Sequence, residues 1–351
     1  MKKVLALILA TLMLVSLFVG CAKQDSTTTS NDTTTTTTND TAADNTASSG
    51  AKKQVAVLVR LSDMYGAWLK EAYIADAKQY DDMEVTVFDT QDDSSKFIEI
   101  LEACIEQSYD YAVVQGRQGD LSGIITKAKE AGIKLIQINY AEEWTYSLMH
   151  SILCDEHLLG ELIAADAAAK LPENAQVAIL NGPAGLWVSD YRREGFQTAL
   201  LDARPDITLL DEQDAGFVKD TAMNKTSDWL QVYDHIDAIL CASDSEAVGA
   251  VEAYKANNVD LSNTLIYGID GLTEACTAIM NGDMEGSALQ DATTFSSMAL
   301  EMIEKDIAGE IDLDTMVGDK ETAVTEFAPT LIDASNAEAQ YKYYEELGMT
   351  K

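Results

Sequence analysis

Short apolar runs alternate with amphipathic segments along most of this chain, and this alternation limits the possible fold more than any other feature. The first apolar runs occupy residues 55–59, 85–88, 111–114 and 135–138. The segments between them, at 68–80, 96–106 and 121–131, carry apolar residues at the spacing of an amphipathic helix. Apolar strands that alternate with helices predict a parallel sheet covered by helices on both faces.

The same alternation starts again after the apolar run at 151–154. Further strands are expected at 177–180, 207–210, 238–240 and 265–267, with helices that include 190–201 and 244–256. A shorter third part, from residue 287 onward, supplies one or two helices and a late strand near 323–327. The prediction is an α/β protein with two similar, doubly wound parallel-sheet lobes. Ligands of such sheets bind beyond the carboxyl ends of the strands, so two facing lobes would share one cleft.

The N-terminus has the pattern of a secretory signal. Lys2 and Lys3 precede an apolar run at residues 4–19, which is shorter than the roughly 20 residues of a mature membrane-spanning helix. Residues 18–21, Phe-Val-Gly-Cys, resemble the bacterial lipobox, although Phe18 stands where leucine is usual. We expect a signal peptide at 1–20 and lipid modification of Cys21. An uncleaved anchor and ordinary secretion are the alternatives.

Residues 21–52 form a predicted linker. They consist almost entirely of Thr, Ser, Asn, Asp and Ala and contain no large apolar side chain after Cys21. Such a segment cannot bury enough surface to offset the entropy of ordering it, so we expect a disordered, lipid-anchored tether. A flexible chain of this length spans about 30 Å. The folded body is therefore expected outside the cytoplasm, anchored close to the cell membrane.

The charge balance narrows the class of partner. The chain carries 24 basic and 59 acidic residues, a net charge of −35, which becomes −37 when Lys2 and Lys3 leave with the signal. This charge argues against binding nucleic acid through its phosphates. Solubility and self-repulsion explain the acidity, and a function that favours cations is the alternative. Hydrophobic residues make up 47% of the chain, enough for two lobes with substantial cores.

The cysteines do not indicate a metal site. If Cys21 carries lipid, four remain, namely Cys104, Cys154, Cys241 and Cys276. They are widely spaced, and they lack a C-x-x-C motif or a paired histidine, so a zinc site is not expected. Free, buried thiols are expected, while the sequence leaves one disulfide bond open.

Four segments that follow predicted strands carry a specific resemblance. They are Tyr-Arg-Arg-Glu-Gly-Phe at 191–196, after the loop 181–185, Cys-Ala-Ser-Asp at 241–244, Tyr-Gly-Ile-Asp-Gly at 267–271, and Ala-Leu-Gln-Asp at 288–291. In this order and spacing they resemble the sugar-binding periplasmic binding proteins, the ribose- and galactose-binding receptors of ABC transporters. The resemblance covers about residues 53–310.

The resemblance implies a type I periplasmic binding protein fold, in which a multi-strand hinge joins the two lobes. The N-terminal lobe is then expected at 53–153 plus about 291–320. The C-terminal lobe is expected at 154–290 plus about 321–351.

The resemblance also implies which residues bind the ligand: Asp63, Tyr65, Asn139, Tyr140, Arg192, Phe217, Ser243, Asp270 and Gln290. Gly66 replaces a usual aromatic residue, so one stacking face is expected to be reduced or moved to Trp68. Asn139 and Tyr140 stand where the family commonly has Asp-Arg, which argues against the usual pentose because a bidentate charged contact is missing.

Sugar chemistry favours the same residue types independently. A sugar presents hydroxyl groups around apolar C–H faces, so planar carboxylate, amide and guanidinium groups suit its rim and aromatic rings suit its faces. Trp187 is a further candidate for a face. Simpler roles are open for each residue: a helix cap for Asp63 or Asp270, a surface ion pair for Arg192, and core packing for the aromatic residues.

No catalytic pattern is found. His150, His157 and His235 lack metal-ligand spacing, no G-x-S-x-G motif occurs, and residues 60–68 contain a single glycine and no phosphate-binding fingerprint. We therefore expect a protein that is not an enzyme and that uses no cofactor or metal.

The resulting functional hypothesis is a monomeric receptor that captures a sugar, polyol or nucleoside and delivers it to an ABC permease. It would be held at the membrane through Cys21 and would bind no nucleic acid. A sensory module that signals to a membrane kinase or chemoreceptor is the main alternative. A sugar-responsive repressor conflicts with the signal peptide and the missing basic head. A hydrolytic lipoprotein would require turnover of a glycoside.

Overall fold

The computed structural model describes residues 51–115 and 120–350. The predicted signal peptide at 1–20, Cys21 and residues 22–50 of the predicted linker lie outside the described residues. In the described part of the chain, strands and helices alternate as the apolar pattern predicts.

The first sheet begins with five strands: β1 Lys53–Val59, β2 Met83–Asp89, β3 Tyr111–Val114, β4 Lys134–Ile138 and β5 His150–Cys154. The helices between them are α1 Met64–Asp76, α2 Ser94–Glu106, α3 Ser122–Glu130 and α4 Glu143–Tyr146. All pairings among these strands are parallel. The strand ends therefore bring the loops after β1 and β4 to the same edge of the sheet.

The second sheet repeats this plan. Its first five strands are β6 Gln176–Asn181, β7 Thr208–Asp214, β8 Ala238–Cys241, β9 Leu265–Ile269 and β10 Gly286–Leu289. The helices of this part are α5 Glu156–Lys170, α6 Trp187–Phe196, α7 Lys219–Val232, α8 Asp244–Ala256 and α9 Thr273–Met280.

The chain then returns through both lobes. Its last elements are α10 Ala292–Ile307, α11 Lys320–Ala323, β11 Val324–Phe327, β12 Thr330–Asp333 and α12 Ala337–Leu347. Short helical turns lie at Ala77–Gln79, Gln197–Leu201 and Leu313–Thr315. The sheet orders are β11-β5-β4-β3-β1-β2 and β12-β10-β9-β8-β6-β7. The two-lobe, doubly wound fold with a hinge of several chain crossings is confirmed, since β5–β6, β10–β11 and β11–β12 each link the two sheets.

The C-terminal segment differs from its expected lobe assignment. Residues from about 321 onward were expected in the C-terminal lobe, but β11 pairs in parallel with β5 in the first sheet. β12, in contrast, pairs antiparallel with β10 in the second sheet. The edges of β5 and β10 would otherwise expose unpaired backbone groups, and one short strand covers each of them.

The strands carry the cores. Val57 of β1 and Ile179 of β6 are fully buried and belong to the main hydrophobic cluster. A second cluster lies under α2 and α3 and includes Phe97, Leu101 and Ile125.

The four cysteines of the body are buried and free, as expected. Burial raises the pKa of Cys104 to about 11 and that of Cys276 to about 12. Within the described ranges, no helix has both the length and the apolarity to cross a bilayer.

Candidate ligand-binding site

One cavity collects most of the predicted site residues. Eight of the nine predicted ligand-binding residues line it: Asp63, Tyr65, Asn139, Arg192, Phe217, Ser243, Asp270 and Gln290. They come from loops and adjoining helices that follow the carboxyl ends of strands in both sheets, where a doubly wound fold places its ligands. The cavity leaves about 30 Å³ of space for the centres of water molecules, room for about two waters.

Arg192 on α6 lies at the centre of the cavity wall and is 4% exposed. Its Nε donates to Glu156 Oε2 at 2.6 Å, and its terminal nitrogens donate to the Ala242 carbonyl at 2.7 Å and to Gln290 Oε1 at 3.1 Å. A further contact reaches Asp270 Oδ1 at 3.4 Å. Arg192 therefore does not form the surface ion pair that was the alternative to a place in the cavity. Burial alone would lower the pKa of Arg192, but Glu156 and Asp270 raise it above the usual range.

Glu156 is the main residue that the sequence analysis missed. It is the first residue of α5, directly after β5, and it is 2% exposed. Besides Arg192, its carboxylate accepts a hydrogen bond from Gln290 Nε2 and one from Asn139 Nδ2 at 3.5 Å. The available signal was an acidic residue just beyond the carboxyl end of a buried strand. His157, its neighbour, contacts Glu161 at 3.6 Å instead of the cavity.

Asn139 joins the two lobes across the cavity. Its Oδ1 accepts from Gln115 Nε2 at 2.8 Å within the first lobe, and its Nδ2 donates to Gln290 Oε1 at 3.1 Å in the second. Gln115 is 4% exposed, so this chain of amides is shielded from solvent. Its donors and acceptors match the hydroxyl groups of a polyol.

Three cavity residues have backbone dihedral angles in the left-handed region. The φ angles are 62° at Asn139, 60° at Phe217 and 131° at Asp270. Residues other than glycine adopt such angles at a cost of about 1–3 kcal/mol, and they concentrate at functional sites. The strain is consistent with loops shaped to aim these side chains at the cavity.

Asp63 combines two roles. It caps α1 by accepting from the Gly66 amide at 2.7 Å, so that the helix begins at Met64, four residues before the predicted start. It also pairs with Arg60, a cavity residue that the sequence analysis did not select. Asp63 thus forms the helix cap that was its alternative role, and its side chain also lines the cavity.

Gly66 has no room for a side chain. A Cβ atom there would lie 1.5 Å from the carbonyl oxygen of Arg60, which excludes the aromatic residue usual at this position. Trp68 does not replace that ring at the cavity. It is 6% exposed and packs edge-on against Tyr344, with ring centroids 4.6 Å apart.

Tyr65 is 8% exposed and lines the cavity, and its hydroxyl group has no hydrogen-bond partner among the described residues. Burial and the nearby Asp270 raise its pKa well above the usual range, so the hydroxyl keeps its proton. A buried donor without a partner costs about 1–3 kcal/mol, which a ligand hydroxyl would recover.

The loops after β7 and β8 meet behind the cavity. The Phe217 amide donates to Glu246 Oε1 at 2.9 Å, and Ser243 caps α8 by accepting from the Glu246 amide at 3.3 Å. Burial raises the pKa of Glu246 to about 8. The Phe217 ring lies 5.8 Å from the guanidinium carbon of Arg192. Val188 and Ser245 are further lining residues that the sequence analysis did not select.

Tyr140 differs from the other predicted residues because it does not line the central cavity. It lies in a groove at the edge of the cleft, where its ring meets Trp187 of the second lobe with centroids 6.0 Å apart. Tyr191 extends this aromatic cluster at 5.0 Å from Trp187. Asn139 occupies the cavity position of this loop, and the next side chain points to the rim.

The described residues contain no group of three or more His, Cys, Asp or Glu side chains arranged to hold a metal ion. The cavity lining offers hydrogen-bonding groups and aromatic surface.

A family model of the periplasmic binding protein domain matches residues 55–311. This chain belongs to the periplasmic binding protein family. This periplasmic binding protein is 25% identical to the ribose import binding protein of Bacillus subtilis over 265 residues, 74% of this chain and 84% of the relative. It is 29% identical to the xylitol-binding protein of Mycolicibacterium smegmatis over 212 residues, 60% of each protein.

Solved structures of binding proteins share the fold of this periplasmic binding protein. An ABC transporter solute binding protein from Actinobacillus succinogenes with bound D-allose has a TM-score of 0.72 and 25% identity, over 82% of this chain and all of that one. The Caulobacter myo-inositol binding protein has a TM-score of 0.73 and 23% identity, over 85% of this chain and 98% of that one. All four of these relatives are binding proteins.

Proposed function

We propose that this protein is an extracytoplasmic receptor that binds a sugar or polyol between its two lobes and delivers it to an ABC permease. The observation that carries the proposal is the cavity itself. Groups from both lobes converge there, with amides at Asn139 and Gln290, a guanidinium at Arg192, a carboxylate at Asp270 and an unsatisfied hydroxyl at Tyr65. A ring of ligand hydroxyls satisfies each of these groups.

The relatives support this ligand class. They are named for, or were solved with, ribose, xylitol, allose and inositol, all of which are small uncharged compounds with several hydroxyl groups. Asn139 at the position of the family's usual aspartate points to a polyol or hexose-like ligand instead of a pentose.

Ligand binding is expected to require movement of the lobes. The cavity holds about two waters, so a sugar enters an opened cleft and replaces contacts such as Asn139–Gln290 with its own hydroxyl groups. A ligand that contacts both lobes stabilises the closed arrangement.

The location outside the cytoplasm rests on the N-terminal sequence. The basic start, the apolar run at 4–19 and Cys21 support a lipoprotein that is tethered by residues 21–52. Mass spectrometry of the membrane-extracted protein is expected to find a lipid-modified Cys21 at the N-terminus. An unmodified N-terminus at another residue would contradict this part of the proposal.

A thermal-shift and calorimetry panel tests the ligand class. The probes are D-ribose, D-allose, xylitol, myo-inositol and adenosine, with L-glutamate and a dipeptide as controls. At 100 times its dissociation constant, a bound ligand adds about 2.7 kcal/mol to the stability. At least one polyhydroxyl compound is expected to raise the melting temperature. A response to the amino acid or peptide alone would overturn the proposal.

A further inference from the structure

Both arginines that line the cavity face two carboxylates each. Arg60 pairs with Asp63 and lies 3.1 Å from Asp92. Arg192 pairs with Glu156 at 2.6 Å and with Asp270 at 3.4 Å. The positive charges that could attract an anionic ligand are thus already matched within the protein.

The second of these clusters is almost completely buried. The side chains of Arg192, Glu156 and Asp270 are exposed to 4%, 0% and 5%. Charges in such a site interact strongly because little water screens them. Arg192 makes four hydrogen bonds to protein acceptors, which hold its guanidinium in place. It is therefore better suited to donate to neutral hydroxyl oxygens of a ligand than to pair with a ligand anion.

We propose that Glu156 is a specificity-determining residue that makes this cavity select uncharged sugars or polyols against the corresponding sugar acids. The inference rests on the proposed function and narrows its ligand class. Glu156 acts through Arg192: it neutralises the guanidinium and fixes its orientation. A ligand carboxylate would meet a buried negative charge 2.6 Å from the only cation it could pair with in this second-lobe cluster.

Glu156 makes the closer of the two ion pairs with Arg192. Burial raises the pKa of Asp270 well above its usual range, although Arg192 opposes the rise. The geometry also favours Glu156, whose Oε2 lies 2.6 Å from Arg192 against 3.4 Å for Asp270 Oδ1. Its hydrogen bonds from Gln290 and Asn139 connect this carboxylate to both lobes.

The test compares Glu156→Gln with the wild-type protein. Calorimetry measures the binding of three matched pairs: D-ribose and D-ribonate, D-galactose and D-galacturonate, D-glucose and D-glucuronate. For a pair whose neutral member binds, the wild-type protein is expected to prefer the neutral member by at least about 100-fold. Glu156→Gln is expected to reduce this preference at least about tenfold, because Arg192 then loses the closer of its two carboxylates and keeps only the 3.4 Å contact with Asp270.

Two controls isolate the local effect. Glu161→Gln removes the same charge from a partly exposed position on the same helix and is expected to leave the preference unchanged. Measurements at about 0.05 M and about 0.5 M NaCl separate the buried pair from the overall net charge of −35, whose influence salt screens. The preference is expected to persist at high salt.

The outcomes separate the inference from the proposed function. If the wild-type protein binds a sugar acid as tightly as its neutral partner, or if Glu156→Gln leaves the ratio unchanged, the role of Glu156 is wrong while the sugar receptor stands. If the variant does not fold, the ratio of the wild-type affinities for the neutral sugar and its sugar acid alone tests whether the cavity selects uncharged ligands. If no probe here or in the ligand panel binds the wild-type protein, the proposed function itself is overturned.

Discussion

At the residue scale, the site depends on a buried cation that is held by two buried carboxylates. Breaking such a pair from one side leaves an unmatched charge, which typically costs about 3–5 kcal/mol. Arg192 is therefore expected to contribute to the fold as well as to the proposed binding, since Glu156 and Asp270 have 0% and 5% exposed side chains. A variant at this position has to be measured for both properties.

Arg192→Ala is expected to weaken binding of the sugar found in the ligand panel by more than about tenfold, because the cavity loses its guanidinium donor. It is also expected to lower the free energy of unfolding by about 3–5 kcal/mol. Calorimetry and urea denaturation measure the two effects. The double variant Arg192→Ala with Glu156→Gln also removes the carboxylate that has lost its cationic partner. It is expected to be more stable than Arg192→Ala by at least about 1 kcal/mol. Unchanged affinity in a folded Arg192→Ala protein would contradict the assignment.

A second residue-scale prediction concerns pH. Burial raises the pKa of Glu246 from 4.5 to about 8. Between these values the folded protein keeps a proton that the unfolded chain releases, so this contribution to stability is complete below pH 4.5 and is lost as the pH rises through 8. The loss attributable to Glu246 is expected to be on the order of 5 kcal/mol.

Glu246→Gln, which is neutral at every pH, should flatten the decline in unfolding free energy between about pH 5 and about pH 9. Urea denaturation at a series of pH values measures this decline. Glu252→Gln, at a partly exposed position on the same helix, is the control and is expected to keep the wild-type slope. Equal slopes in all three proteins would show that Glu246 does not hold the proton.

At the element scale, the position of Arg192 relative to Glu156 depends on the close approach of α5 and α6. A Cβ atom at Gly160 would lie 2.2 Å from the carbonyl oxygen of Arg192, and one at Gly195 would lie 2.4 Å from the carbonyl oxygen of His157. Two glycines thus allow the helix backbones to touch. The contact sets the distance between the guanidinium on α6 and the carboxylate at the start of α5.

Gly160→Ala is expected to push α5 away from α6, to destabilise the protein by about 1–3 kcal/mol and to weaken sugar binding as Arg192 and Glu156 separate. The matched control is Gly123→Ala in α3, where an added Cβ would meet no heavy atom within 4 Å. That variant is expected to gain up to about 1 kcal/mol from helix propensity. Urea denaturation and calorimetry distinguish the two. Equal stability of both variants would argue against the close helix contact.

The same elements show what the sequence could and could not predict. Apolar runs located β1 to β9, because a strand buried on both faces must be apolar throughout, whereas β10 and β12 were not predicted. The partner of β11 was not predictable, since a short strand of mixed polarity pairs with whichever edge the fold leaves open. Glu156 was missed for a related reason: its contact with Arg192 follows from the packing of α5 on α6.

At the scale of the whole molecule, contacts across the cleft hold the two lobes together. Tyr140 of the first lobe meets Trp187 of the second, and Asn139 donates to Gln290. A binding protein whose closed form is only partly populated has its apparent affinity reduced by that fraction. Side chains that never touch the ligand therefore influence affinity if they stabilise closure.

Trp187→Ala tests this coupling. The lost ring contact is worth about 0.5–1.5 kcal/mol, so the closed form becomes less populated and the dissociation constant of the bound sugar rises about two- to tenfold. Most of the change is expected in the dissociation rate, which stopped-flow fluorescence measures, and small-angle X-ray scattering should show a larger radius of gyration at subsaturating sugar.

Tyr109→Ala is the matched control, because its ring meets Phe88 within the first lobe at 6.2 Å. It is expected to lower stability and leave affinity unchanged, and a parallel loss of affinity in both variants would refute a specific role for the contact across the cleft.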